Sequence, residues 1–317
     1  MTTKTSTAGS FPIKQMFLSR NNSELVHDKI ASTIYSDKVY GHYYKLKDQN
    51  LIPENDIIAG RSGANEIMHD YEKKQFNIYK HGLKEFIDYG VVDSSDYHTK
   101  ETLRKDAMMM IKDKLMLKKE KALADLLTNP SNFSGSTSAL AGANRWDNSG
   151  SDPTVQIKLA KETVRNKFGK VPNTLIIGAK VNDALSFNSA LANRVSLTDE
   201  KVVSLSILAN MLKKSGLDIP ENRIIVAEAQ YKSSPSATPA YIWGDIALFA
   251  YIDPNTTTLY DDTLVKQFRL KNNGGIDMGF FKPNDPTVNG EFAFGQIDYG
   301  FELVNYEAGY LFTTVVS

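Results

Sequence analysis

Between Thr99 and Leu127 the chain carries its clearest hydrophobic pattern. On a helical wheel of ~100° per residue, Met108, Ile111, Leu115, Ala122 and Leu126 form one apolar band, and Met109, Met116, Leu123 and Leu127 form a second. Lys105, Lys112 and Lys119 run between the bands at heptad spacing. Two apolar bands flanking a charged row predict a long helix that lies along a surface with material on both sides. The lysine row reads equally well as aliphatic stems laid over one wide core face. Glu101 and Asp106 near the start and the lysine-rich second half suit the helix dipole, and Asn129-Pro130 ends the helix.

Downstream the period alternates between helix and strand. SNFSGSTSALAGANRWDNSGS is a Gly/Ser/Asn/Ala-rich loop with one large apolar anchor, Trp146. Asp152 is a helix N-cap and Pro153 a first helical residue, so a helix starts there and runs to Gly169. The strand NTLIIG follows Pro172, then the helix VNDALSFNSAL and a helix over 201–214. Arg223 to Ala229 reads as a strand, and Tyr241 to Tyr251 as one or two strands turning at Gly244-Asp245. VKQFRLK, FAFGQIDYGFELVNY and YLFTTVVS are aromatic and β-branched strands, with Gly-Gly and Pro-rich breaks at 274–286.

Upstream the pattern fades. Leu25, Ile30 and Ile34 in ELVHDKIASTIY predict a short amphipathic helix over 24–35. From Gly41 to Ser95, short apolar pieces are split by Gly, Asn, Asp and Pro, too long a stretch for a loop in a compact domain. It is either a separate small β unit or an excursion that pairs outside its own subunit. Residues 1–20 are Thr/Ser-rich and read as an arm that orders only against a neighbour, with Phe11, Ile13, Met16, Phe17 and Leu18 as its docking residues.

Composition narrows the chemistry. At 317 residues the chain exceeds one ordinary core, and 41% hydrophobic content supports a real one. Lys plus Arg and Asp plus Glu are 37 each, so no net field draws it to nucleic acid or an anionic membrane. The absence of cysteine excludes disulfides, thiolate catalysis and Cys-ligated zinc. Neither a signal-peptide core nor a run of ~18 apolar residues is present, so a soluble product made in a cytoplasm is expected.

Reactive motifs are missing as well. The five histidines, His27, His42, His69, His81 and His98, show no HExxH spacing, and no G-x-S-x-G, G-x-G-x-x-G or Walker loop occurs. GRSG at 60–63 is a bend without the Lys-Ser/Thr of a phosphate cradle. His69-Asp70 with Glu72, and Asp253 with Asp261-Asp262, are the candidate hard-metal clusters, each more often simply hydrated. Trp146 and Trp243 read as core or interface anchors. No catalytic, cofactor-binding or metal residue is assigned.

The order IIAGRSG, LMLKKEKALADLLTNPSNF, a Gly-rich loop ending RWDNSGSDP, KFGKVPNTLIIGAKVNDAL, RIIVAEAQY and YIWGDIALFAY resembles the major capsid proteins of tailed bacteriophages with the Hong Kong 97-like fold. The pieces cover well over half the chain. The resemblance implies an α+β fold: an N-terminal arm (1–40), an extended β loop (41–98), a peripheral domain with a spine helix (99–169 and 266–317) and an axial domain (170–265). It implies a shell of hexamers and pentamers closed around double-stranded DNA, in the virion, after synthesis and assembly in the host bacterial cytoplasm. The implied partners are other copies of the chain, a separate scaffolding protein, a portal protein, and packaged DNA contacted non-specifically on the inner face. No membrane and no cofactor are implied. Asp262 to Asn289 is more Gly/Pro/Asn-rich than the family pattern. Two other readings stay open: an encapsulin-like compartment with protein cargo, and a soluble α/β enzyme with an unrecognised site.

Four residues are named as assembly-interface candidates. Arg61 in the extended loop is expected to contact a neighbouring subunit, and Lys105, Lys112 and Lys119 to face acidic residues or the shell interior.

Overall fold

The computed structural model describes residues 25–46, 56–58, 63, 66, 71–90, 100–194, 202–253, 258–271, 275–285 and 287–317. The first elements are a single helical turn α1 (His27–Ile30) and strand β1 (Ser32–Ser36). The helix expected over 24–35 is therefore only one turn long. The β-branched and aromatic run STIY favours strand over helix, and β1 finds a parallel partner near the C-terminus.

The aperiodic stretch contains three strands, β2 (Tyr40–Leu46), β3 (Tyr71–Asn77) and β4 (Tyr79–Asp88). β2 and β3 form a two-stranded antiparallel ribbon. The partner of β4 lies in the same chain: it pairs along its full length with β13 (Gly290–Leu303). Alternation is weak in β3 and β4 because most of their residues are exposed, which erases the period-2 signal.

The long helix α2 spans Lys100–Leu127. After it come the short strand β5 (Thr137–Ala139), not foreseen in the Gly/Ser loop, helix α3 (Pro153–Phe168) and strand β6 (Thr174–Gly178). Asp152 caps α3, its carboxylate accepting from Thr154 N at 3.1 Å, and Gly169 ends it in the left-handed region. Helices α4 (Ala179–Phe187), α5 (Ser189–Ala192) and α6 (Leu205–Lys214) follow. The remaining strands are β7 (Ile224–Ala227), β8 (Gln230–Tyr231), β9 (Ala240–Tyr241), β10 (Ala247–Ala250), β11 (Val265–Leu270), β12 (Asp277–Phe281), β13 and β14 (Gly309–Thr313). β12 falls inside the break expected at 274–286, because Met278 and its neighbours have a sheet edge, β13, to pair with.

Two five-stranded sheets organise the described residues. One runs β1-β11-β13-β12 with β4 also on β13; the other runs β5-β14-β10-β6-β7. Strands from both sides of the expected boundary at 265/266 share the second sheet. Its central strands β6 and β10 are buried on both faces, as the near-continuous runs TLIIG and ALFA require. Leu175, Ile177, Phe249 and Phe312 face α3, α4 and α6, whereas Ile176, Leu248 and Leu311 face Leu123, Ala124 and Leu127 of α2. The first half of α2 packs Met108, Ile111 and Leu115 on Ile87, Ala293 and Ile297 of the first sheet.

One helix thus bridges two cores. Its buried residues Ile111, Leu115, Lys119, Leu123 and Leu127 form a single row at four-residue spacing. Both apolar bands expected from the wheel are used within the chain, since Met109, Met116, Ala122 and Leu126 pack on the edges of these cores.

Glycine marks a close crossing. β13 passes against the link between β3 and β4, and a Cβ on Gly300 would stand 1.9 Å from the carbonyl oxygen of Asn77. Gly300→Ala is expected to destabilise the subunit by roughly 1–3 kcal/mol, read as a lower urea midpoint; an unchanged midpoint would show that the crossing is slack.

Candidate assembly surfaces

Two of the buried residues on α2 carry charge, Lys119 within the row and Glu120 beside it. Glu120 is fully buried, and its Oε2 accepts from Val26 N (3.1 Å), His27 N (2.9 Å) and His27 Nδ1 (2.8 Å), while Oε1 accepts from Trp243 Nε1 (2.6 Å). One carboxylate therefore ties together the N-terminal turn, the spine and the segment leading into β10. The first N–H groups of α1 are satisfied from α2, which is why a four-residue helix persists there.

Lys119, 2% exposed, donates from Nζ to Asp28 Oδ1 at 2.9 Å. Burial pushes the Lys119 ammonium down, against the pull of Asp28. Burial pushes Asp28 up, but Lys119, His27 and Arg269 outweigh it and hold its carboxyl below the usual range. Lys119 was expected on a row with Lys105 and Lys112. A heptad spacing drifts by about 20° per seven residues on a straight helix, so the three do not share one environment. Lys105 and Lys112 are half-buried, while Lys119 lies in the buried row and meets its acidic partner within the chain. Arg61 lies outside the described residues, as do residues 1–24, His69, Asp70 and His98.

Two more ionic clusters fix the sheets. Arg104 of α2 forms a two-pronged pair with Glu291 of β13 through Nε to Oε1 and Nη2 to Oε2, and its guanidinium lies 5.0 Å from the Phe280 ring centroid. Lys266 on β11 is fully buried and donates to Thr258 O at 3.2 Å. Burial pushes its ammonium down to about 8, opposed by Asp261, Asp262 and Asp253. The trio considered as a calcium cluster is thus countered by a lysine of the same chain. Among the described residues no group of three or more His, Asp or Glu side chains is placed to hold a metal ion, and no helix is long and apolar enough to cross a membrane.

Several apolar side chains point outward. Tyr35, Val39 and Tyr40 cluster around the β1–β2 turn, with Tyr79, Leu83 and Phe86 along β4 and Val155 and Leu159 one turn apart on α3. The ribbon is anchored at its base, where Tyr44 N donates to Leu259 O at 3.1 Å and the Tyr44 ring stacks on Tyr260 at 4.7 Å. Trp146, expected to anchor the Gly-rich loop, is 1% exposed and packs against Phe312.

Sequence reading missed Glu120, His27 and Trp243 as a unit, and the Arg104–Glu291 pair. Glu120 carried a signal: Met116 and Ala124, four residues to either side, put it on a helix face that is otherwise apolar. Nothing in the local pattern names its partners, more than ninety positions away.

Relatives agree with this architecture. The chain is 28% identical over 262 residues to the major capsid protein of Burkholderia phage BcepMu, covering 81% of each. It is 23% identical over 239 residues to the major capsid protein of Pseudomonas phage JBD67, covering 73% of each. A crystal structure of a phage-related protein from Bordetella bronchiseptica RB50 superposes with a TM-score of 0.73 at 16% identity over 96% of both chains. The capsid structure of cyanophage P-SCSP1u superposes with a TM-score of 0.59 at 12% identity, over 94% of this chain and 93% of that one. No family model matches the chain. The fold is the α+β Hong Kong 97-like capsid fold. In sequence the chain is similar to major capsid proteins of phages.

Two substitutions test the buried charges. Glu120→Ala leaves four N–H groups without an acceptor and is expected to cost about 3–5 kcal/mol in chemical unfolding of the subunit, far above the cost at an exposed acid such as Asp113. Because the folded chain holds the Lys266 proton less tightly than the unfolded one, unfolding takes up a proton between pH about 8 and 10.5. Stability therefore rises with pH across that window, by up to roughly 3 kcal/mol. Lys266→Met is expected to flatten the rise; an equal slope in the variant would assign it elsewhere.

Proposed function

We propose that copies of this chain form hexamers and pentamers that close into an icosahedral head shell around double-stranded DNA. The observation that carries the reading is the spine: one helix with a continuous buried row locks two sheets into a single rigid tile, while apolar residues on β1, β4 and α3 face outward. A rigid tile with several outward patches suits assembly by many weak, repeated contacts. The equal numbers of acidic and basic residues suit a container filled from outside better than a protein that condenses DNA by its own charge.

Within this reading residues 1–40 are the arm, 41–98 the extended loop, 99–169 with 266–317 the peripheral domain, and 170–265 the axial domain. Arg61 contacts a neighbouring copy, and Lys105 and Lys112 face acidic residues or the shell interior. A separate scaffolding protein and a portal protein are the further partners, and assembly takes place in the bacterial cytoplasm. The subunit has no catalytic role. The names of the curated relatives favour this reading over an encapsulin-like compartment or an enzyme.

Deleting residues 1–20 tests it. The truncated chain is expected to stay soluble and folded by circular dichroism while the yield of closed shells in negative-stain micrographs falls at least about tenfold. Normal shells from the truncated chain, or from Arg61→Ala, would remove the arm and the loop contact respectively.

A further inference from the structure

The sheet formed by β4, β13 and β12 has two faces of different character. On one, Ile87, Met278, Ala293 and Ile297 pack with Met108, Ile111 and Leu115 of α2. Side chains at the alternate positions point the other way. There the register sets Phe86, Phe292 and Phe281 side by side across the three strands, with Phe294 in the next row opposite Gly279. Their rings adjoin: centroids lie 5.1 Å apart for Phe86 and Phe292, 5.2 Å for Phe281 and Phe292, and 6.0 Å for Phe281 and Phe294. Phe86 is 41% exposed and Phe281 43%, with Phe292 and Phe294 half-buried between them. Four adjoining phenylalanines on a solvent-facing sheet mark a docking surface.

We propose that this aromatic face receives residues 11–20, FPIKQMFLSR, from a second copy of the chain. The inference rests on the shell reading and names the surface on which the arm docks. Apolar content selects the occupant, because Phe11, Ile13, Met16, Phe17 and Leu18 offer five large side chains whose burial offsets the entropy of ordering the segment. Charge agrees. From Met1 to Ser23 the charged side chains are Lys4, Lys14 and Arg20, all basic. The face carries an acid near each end: Asp88 lies across from Gly290, and Asp277 across from Gln296. Those rows are six residues apart along β13, about 20 Å, and Lys14 and Arg20 are six residues apart around Met16, Phe17 and Leu18. Lys84, on the same face, is folded over the Phe292 ring at 4.9 Å. Reach favours a neighbour's face over the chain's own. Val26 N and His27 N donate to Glu120, so the segment leaves from the α2 side of the sheet. The link from Arg20 to Leu25 spans about 17 Å fully extended and would have to round a sheet edge to reach its own aromatic row.

The test uses the full-length chain with photoreactive p-benzoylphenylalanine in place of Phe17. The purified protein is irradiated, separated on a denaturing gel and mapped by mass spectrometry of its tryptic peptides. The expected product has twice the mass of one chain and joins position 17 to β4, β12 or the first half of β13. Adding Phe86→Ser and Phe281→Ser, both at exposed positions, is expected to lower its yield about tenfold while the circular dichroism spectrum stays that of the folded chain. Attachment elsewhere, linkage within one chain, no product, or an undiminished yield in the folded double variant would each overturn the proposal. If the double variant does not fold, the attachment map of the chain with both phenylalanines decides alone. Micrographs of unirradiated protein judge the shell reading separately. Closed shells with attachment elsewhere remove this proposal and leave the shell standing, whereas a double-mass product on the aromatic face from protein that forms only small oligomers keeps the docking surface and removes the shell.

Discussion

Everything in this tile depends on the α2 helix burying one continuous row of residues against two different sheets. At 28 residues it is about 42 Å long, enough to underlie both. A row at four-residue spacing winds slowly around the helix, so its first half meets the sheet containing β13 and its second half meets the sheet containing β6 and β10. Midway lie Lys119 and Glu120, where neither core is complete. A buried pair of opposite charges there is tolerable because each has a partner, Asp28 for one and four N–H groups for the other.

That arrangement explains why the N-terminal turn belongs to the core although it is only four residues long. Isolated, such a turn has no stability of its own. Here Glu120 supplies its missing acceptor, Val26 and Ile30 supply burial, and β1 supplies a parallel ladder to β11. The same carboxylate reaches Trp243, the residue just before the left-handed Gly244 that turns the chain into β10. Spine, N-terminal segment and second sheet are consequently one mechanical unit, and the Arg104–Glu291 pair clamps the other end of the helix to β13. A shell subunit needs this kind of internal stiffness, because weak contacts between copies add up only if each copy presents them in a fixed geometry.

Elements with strong local signals were legible in the sequence. The spine was bounded by its period and by Asn129-Pro130, α3 by the Asp152-Pro153 start and the Gly169 stop, and TLIIG and ALFA by their continuous apolar character. What escaped were elements whose stability comes from distant partners. STIYS is a strand because β11 lies beside it, SerThr-rich TSA because β14 does, and DMGFF because β13 offers an edge. The candidate surfaces were legible only in kind. The lysine row was visible, but Lys119 is not equivalent to Lys105 and Lys112, since a seven-residue spacing drifts across the helix face while the buried row winds the other way. Glu120 stood out as a charge on an apolar face, and its partners are set by tertiary structure alone.

The most direct measurement is cryo-electron microscopy of the purified full-length chain, co-expressed with its neighbouring genes. The account predicts closed shells of five-fold and six-fold rings, with α2 continuous in every subunit and Glu120 bonded to His27 and Trp243. A discrete small oligomer under every condition, or shells whose subunits break the spine between the two sheets, would contradict it.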